Sequence, residues 1–371
     1  MVSTPLFCFN CGVASRPQAR FCFACGHPLQ AADALLSSTE KLPSVSRNTL
    51  STSVVSPFTL PAFSTVSKQI SMIYSGHSGE VMAVTWSPDS QKIASASSDG
   101  SIHVWHVQDG KPLFMYREHR DLVFAVAWSP GGKALVSAGS DGTAQVWNAQ
   151  TGQRISIFRG HMGAVYAVAW SPDGKIIVTG GADRTVQVWN AVNGKLIFTY
   201  SRRAFPRLTG WGHTGRVRTV GWSYDGKHIA SGGEDKTVQV WNWQEGKQVS
   251  TFHHHTGIVR ALAWSPSGSF LASAGNGLVW AWDALSGVTP TTGQRRHRSA
   301  RTLAWSPDGK HIVVAGKSRV VRVWNSMNDA QVSKYIGHEA GVCAVAWSPD
   351  GKYIASGSSD KTIHVWEPVK A

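Results

Sequence analysis

The sequence predicts an all-β fold, a seven-bladed β-propeller of four-stranded blades, preceded by a small cysteine module and a flexible linker. Three observations carry the prediction. A tryptophan in the frame V-W or A-W recurs at Trp105, Trp147, Trp189, Trp241, Trp282, Trp324 and Trp366, with successive spacings of 42, 42, 52, 41, 42 and 42 residues. A second tryptophan, mostly in A-W-S-P-D-G, keeps the same rhythm at Trp86, Trp128, Trp170, Trp222, Trp264, Trp305 and Trp347, and the two series absorb fourteen of the 17 Trp. Each unit also parses into four short strands, and a period of roughly 40 to 45 residues with four strands is the pattern of a propeller blade. The expected boundaries are residues 1–28 for the cysteine module, 29–67 for the linker and 68–371 for the propeller.

Within a unit the order is V-x-A-V-A-W, the S-P-D-G turn, K-x-I-A-S-x, a second turn, T-V-Q-V-W, a polar turn and an outer strand such as Arg154–Phe158. In S-P-D-G the proline presets the turn and the glycine accepts a positive φ. The seventh unit runs out after its third strand at Trp366. Ser71-Met72-Ile73-Tyr74, placed before Gly76-His77, matches the outer strands of other units. It is expected to complete the last blade, tying the ring shut and removing an exposed edge.

Apolar residues make up 42% of the chain and charged residues 16%, ample material for a core and no case for global disorder. No apolar run approaches the roughly 18 residues that span a bilayer, and the N-terminus lacks a basic segment followed by an apolar one. A soluble, cytoplasmic protein with no membrane partner is expected. Residues 29–67, rich in Ser, Thr, Pro and Ala without a sustained period, read as a flexible linker.

Four of the 5 Cys lie in two near-identical half-sites, Cys8-Phe-Asn-Cys11-Gly and Cys22-Phe-Ala-Cys25-Gly. The C-x-x-C turn lets two thiolates face one ion, and Gly12 and Gly26 permit the tight backbone behind them. Each half resembles a zinc knuckle, and together they resemble a short zinc-ribbon. That resemblance implies one structural zinc, because four thiolates fill a tetrahedral site and leave no position for water. A redox dithiol pair or an iron–sulfur cluster would draw on the same residues, but no further cofactor motif accompanies them.

His161, Thr179 and Asp183 gather the groups of a nucleophilic triad. The same set recurs as His77, Ser95 and Asp99; His119, Ser137 and Asp141; His213, Ser231 and Asp235; and His338, Ser356 and Asp360. A catalytic constellation is needed once, in a water-excluding pocket beside an oxyanion hole, so one copy per blade argues architecture. These residues, with G-H, W-S-P-D-G and V-W-N, resemble the tryptophan–aspartate (WD) repeat propellers over about residues 70 to 371. The resemblance implies a hydrogen-bonded tetrad inside each blade, with Trp105, Trp147, Trp189, Trp241 and Trp366 as the fourth members. Two units depart from it. The fifth keeps His255, Ser273 and Trp282 but is one residue short, with Asn276 near the missing acid. The sixth keeps His297 and Trp324 but has Val314 and Ser318 where Ser and Asp belong. These are expected to be the looser blades. With no Gly-rich phosphate loop, unique carboxylate pair or open metal site, neither catalytic residues nor a small-molecule substrate are expected.

The units differ most at the rim that holds the His and Asp turns. A ten-residue insertion there, Ser201 to Gly210, carries Arg202, Arg203 and Arg207, and Arg295-Arg296-His297-Arg298 and Lys317-Ser318-Arg319 are placed on the same rim. Residues 201 to 325 hold 17 Lys or Arg against 6 Asp or Glu, within a total net charge of +14. The position four before the first Trp of each unit should face the ring axis, and it reads Met82, Phe124, Tyr166, Arg218, Arg260, Arg301 and Cys343. Arginine and aromatic residues are the usual interface anchors, although central residues can also simply plug a channel and a basic face can simply be solvated. The expectation is a non-enzymatic interaction scaffold binding a protein or peptide of acidic character on this rim. Its alternative is a nucleic-acid-associated adaptor using the zinc-ribbon and the basic sector.

Overall fold

The computed structural model describes residues 70–202, 212–288, 300–328 and 330–368, together with the backbone of 6–7, 14–15 and 294–296. Cys8, Cys11, Cys22 and Cys25, the linker, Arg203, Arg207 and His297 lie outside the described residues. The chain divides into two compact units, Met1–Phe63 and Ser64–Ala371. In the first, Leu6–Phe7 and Ala14–Ser15 pair as a short antiparallel ladder.

The second unit holds seven four-stranded antiparallel sheets. Their innermost strands are Val81–Trp86, Val123–Trp128, Val165–Trp170, Val217–Trp222, Val259–Trp264, Ala300–Trp305 and Val342–Trp347, and these define blades 1 to 7. Six blades are built from consecutive strands. Blade 7 takes its outer strand from Ile70–Tyr74, which pairs with Ile363–Trp366 through Ile70↔Trp366 and Tyr74↔Ile363. The ring therefore closes by a sheet that joins its two ends, and the last blade has no unpaired third strand.

Both tryptophan series sit between blades, which is why each repeat needs two. The inner-strand Trp86, Trp170, Trp264 and Trp305 donate their indole N–H to the inner-strand carbonyls of Ala346, Ala127, Gly221 and Ala263 in the preceding blade, at 3.1–3.2 Å. Six of the seven third-strand tryptophans, all but Trp324, are fully buried, and five of them stack on an aromatic ring from the preceding blade's outer strand. Tyr74–Trp105, Phe158–Trp189, Tyr200–Trp241, Phe252–Trp282 and Tyr335–Trp366 lie nearly parallel with centroids 4.6–4.9 Å apart. Such pairs add about 0.5–1.5 kcal/mol beyond the area they bury.

The S-P-D-G turns form the rim opposite the His and Asp turns. In blade 3 Ser171 Oγ donates to Asp173 Oδ1 at 2.5 Å, and Gly174 takes a φ of 69°. Blade 1 has serine in place of that glycine, and Ser90 accepts a φ of 59°. Blade 5 replaces the long turn between its second and third strands with a two-residue hairpin. Asn276 and Gly277 have φ of 49° and 79° between the paired Gly275 and Leu278, the type I′ geometry that Asn-Gly favours.

Candidate functional site

The recurrent triads are closed inside the blades. His Nε2 lies 2.7–2.8 Å from the Ser or Thr hydroxyl in the sets of His77, His119, His161, His213 and His338. His Nδ1 lies 2.8–3.2 Å from the aspartate. Each aspartate also accepts the backbone N–H of the residue after its histidine, tying the two turns of the rim together; Ser78 to Asp99 is 2.9 Å. Burial opposes ionisation of Asp183 and Asp235, but hydrogen bonds from His161 and His213 outweigh it and bring both down to about 2. Ser95, Ser137, Thr179, Ser231 and Ser356 are 0% exposed, so no substrate can reach these hydroxyls.

The tryptophans join these sets unevenly. Trp147 Nε1 donates to Ser137 Oγ at 2.9 Å in blade 2, and its ring tilts 41° to Tyr116. Trp282 Nε1 reaches Ser273 Oγ at 3.3 Å. In blades 1, 3, 4 and 7 the indole N–H of Trp105, Trp189, Trp241 and Trp366 is buried without a hydrogen-bond partner. There the expected tetrad is a His–Ser/Thr–Asp triad beside a stacked indole. In blade 5 His255 keeps its bond to Ser273 at 2.8 Å, while its Nδ1 is buried and unpartnered where the acid is missing. Burial pushes His255 down to about 4.

Two histidines were not anticipated as part of these sets. His103 and His364 occupy the third-strand position held by Gln145, Gln187 and Gln239 in blades 2 to 4. They stack on His77 and His338 at 3.9 Å, and burial pushes each down to about 4. The sequence signal was His standing for Gln in T-V-Q-V-W.

The seven axis positions share a cause that the sequence did not reveal. In every blade the register with the second strand slips by one at this point, from Val81/Ala83 in blade 1 to Val342/Ala344 in blade 7. Met82, Phe124, Tyr166, Arg218, Arg260, Arg301 and Cys343 are the extra residues of these β-bulges, a device that re-aims a side chain out of the ladder. The aromatic pair Phe124–Tyr166 lies at 5.1 Å between centroids. The three arginines differ from one another. Arg218 lies over the Tyr166 ring and donates to Glu234 Oε1 from Nε at 2.9 Å. Arg260 and Arg301 make no ion pair among the described residues. Burial, and then the neighbouring Arg301 and Arg218, lower the pKa of Arg260 from its ordinary value. Cys343 Sγ lies 3.4 Å from Ser359 Oγ, and burial pushes its thiol up. Arg202 is exposed at the start of the insertion, and Arg295 and Arg296 belong to the outer strand Gln294–Arg296 of blade 5 rather than to a rim loop.

Fold and repeated triads together define a closed, seven-bladed repeat propeller. The model of the WD domain, G-beta repeat family matches residues 68–106, 110–148, 152–190, 205–242, 246–283, 289–325 and 330–367, and the chain belongs to that family. Protein HIRA of Zea mays is 38% identical over 42 residues, 11% of this chain and 4% of that protein's length. The likeness is about as long as one repeat.

Proposed function

We propose that this protein is a non-enzymatic scaffold that binds an acidic segment of a partner protein at the channel mouth on the rim of the His and Asp turns. Propellers of this family generally bind proteins. The observation that carries the finer reading is the pair Arg260 and Arg301, each the extra residue of a β-bulge and left without an ion-pair partner among the described residues. Guanidinium groups crowded by like charge gain most from a bidentate carboxylate. Phe124, Tyr166 and Met82, on blades 1 to 3, supply the apolar side of the same mouth. Arg218 is spent on Glu234 and Tyr166 and acts as the wall between the two halves.

Zinc held by Cys8, Cys11, Cys22 and Cys25, and residence in a reducing cytoplasm, are parts of this proposal supported by the C-x-x-C spacing alone. The test is a pull-down with the intact protein and with Arg260→Ala/Arg301→Ala. Loss of an acidic partner from the variant supports the reading, and an unchanged partner set overturns it. Tight, strongly salt-dependent binding to unrelated duplex DNA would favour a nucleic-acid adaptor instead.

A further inference from the structure

The middle of each blade carries a row of three residues directly opposite one another on the second, third and outer strands. In blade 4 the row is Ser231, Gln239 and Thr251, and in blade 3 it is Thr179, Gln187 and Thr199. In blade 6 it is Val314, Arg322 and Lys334. Like charges directly opposite on paired strands destabilise a sheet, so this row works against folding where its counterparts do not. Arg322, Lys334, Lys317 and Arg319 make no ion pair among the described residues, and Ser318 stands where five other blades place an aspartate. Lys317 and Arg319 are exposed on the adjoining turn, and Arg322 and Lys334 are half-exposed. Blade 6 has thus lost the acid of its triad and gained four cations on one side of the ring.

We infer that the outer half of blade 6 is a second docking surface, which takes an extended acidic peptide segment with Arg322 and Lys334 as paired carboxylate anchors and Lys317 and Arg319 continuing the track to the rim. An extended chain with acids at alternate positions presents carboxylates about 6.6–6.8 Å apart on one side. Opposed residues of an antiparallel pair hold their Cβ atoms about 5 Å apart, within reach of such a ladder for side chains as long as Arg and Lys. A single nucleic-acid strand would want aromatic platforms for its bases. The described residues of blade 6 expose no aromatic ring, the exposed Tyr224 being on the S-P-D-G rim of blade 4. The inference shares with the proposed function the acidic character of the partner, but it concerns different residues and stands or falls separately.

The experiment is fluorescence anisotropy of the full chain with a labelled peptide of alternating glutamate and serine, beside single-stranded and duplex oligonucleotides. Arg322→Gln/Lys334→Thr gives the row the neutral Gln and Thr of blade 4, so it should fold with an equal or higher thermal midpoint. It should weaken peptide binding at least about tenfold and flatten the salt dependence. Lys317→Ser/Arg319→Ser, confined to an exposed turn, should weaken it in the same direction without touching the core. Peptide binding unchanged in both variants but lost in Arg260→Ala/Arg301→Ala overturns the second surface and leaves the channel reading standing. The reverse pattern overturns the channel reading alone. Failure of the peptide to bind the parent, or oligonucleotide binding that is tighter and is the one lost on substitution, also overturns the inference.

Discussion

The guanidinium of Arg218 lies 4.0 Å from the centroid of the Tyr166 ring, across the boundary between two blades. With Glu234 on its other side, this arginine is held in place before any partner arrives. Its neighbours Arg260 and Arg301 make no ion pair among the described residues. Replacing Arg218 with Ala should therefore cost stability of about 0.5–2 kcal/mol through the lost cation–π contact and charge pair. Arg260→Ala should leave stability nearly unchanged and weaken binding of an acidic partner. Thermal melts alongside a binding titration separate the two, and equal effects of both substitutions on binding would contradict the asymmetry.

A chain of hydrogen bonds links Tyr74 Oη to His103 Nδ1 at 2.9 Å and His103 Nε2 to Ser101 Oγ at 3.0 Å, and Tyr335 Oη with His364 Nδ1 at 2.6 Å begins the same chain in blade 7. His364 lies in the closing blade and His103 in the blade beside it, and burial holds each near 4 against an unfolded value of about 6.5. A histidine whose folded pKa is depressed contributes fully above its unfolded pKa and loses that contribution as pH falls toward the folded one. The thermal midpoint should drop between about pH 6.5 and 4, each site costing up to roughly 3 kcal/mol. His103→Gln/His364→Gln, the residue of blades 2 to 4, should flatten that slope. A slope as steep as the parent's would place the acid sensitivity elsewhere.

The triad of blade 3 makes a direct test of architecture against catalysis. His161→Ala removes partners from the fully buried Thr179 and from Asp183. Stability should fall by about 1 to 3 kcal/mol, with binding by the folded fraction retained. Denaturant midpoints measure the first and any partner assay the second; a mutant of parental stability would contradict the structural role.

Closure rests on five residues. A chain starting at Lys68 keeps the strand Ile70–Tyr74 and should unfold in one cooperative transition. A chain starting at Ser75 lacks the partner of Ile363–Trp366, and should melt at a lower temperature and self-associate through the bared edge. Light scattering and calorimetry on the two lengths report both effects.

Metal analysis completes the set. The full chain should carry one zinc, lost on Cys8→Ser/Cys11→Ser, and the chain starting at Lys68 none. Zinc retained by the shorter chain would move the site off the four N-terminal cysteines.

The sequence by itself determined the number of blades, their four strands and the partner of the last third strand. These follow from periodicity and local turn chemistry: two tryptophans per unit, proline and glycine in each S-P-D-G, and an outer-strand pattern standing before the first Gly-His. It also marked His161, Thr179 and Asp183 as architecture, since recurrence is visible without coordinates. Only the tertiary structure decided what the tryptophans bond to. Trp86 and Ala346 meet because the ring closes, and Trp105 stacks on Tyr74 with its indole N–H left without a hydrogen-bond partner. Only the tertiary structure, likewise, divided three arginines at equivalent positions into one held by Glu234 and Tyr166 and two without an ion-pair partner among the described residues. A repeat pattern encodes what each blade does within itself, whereas these contacts depend on the side chain a neighbouring blade brings to the boundary, and identical positions acquire different chemistry there.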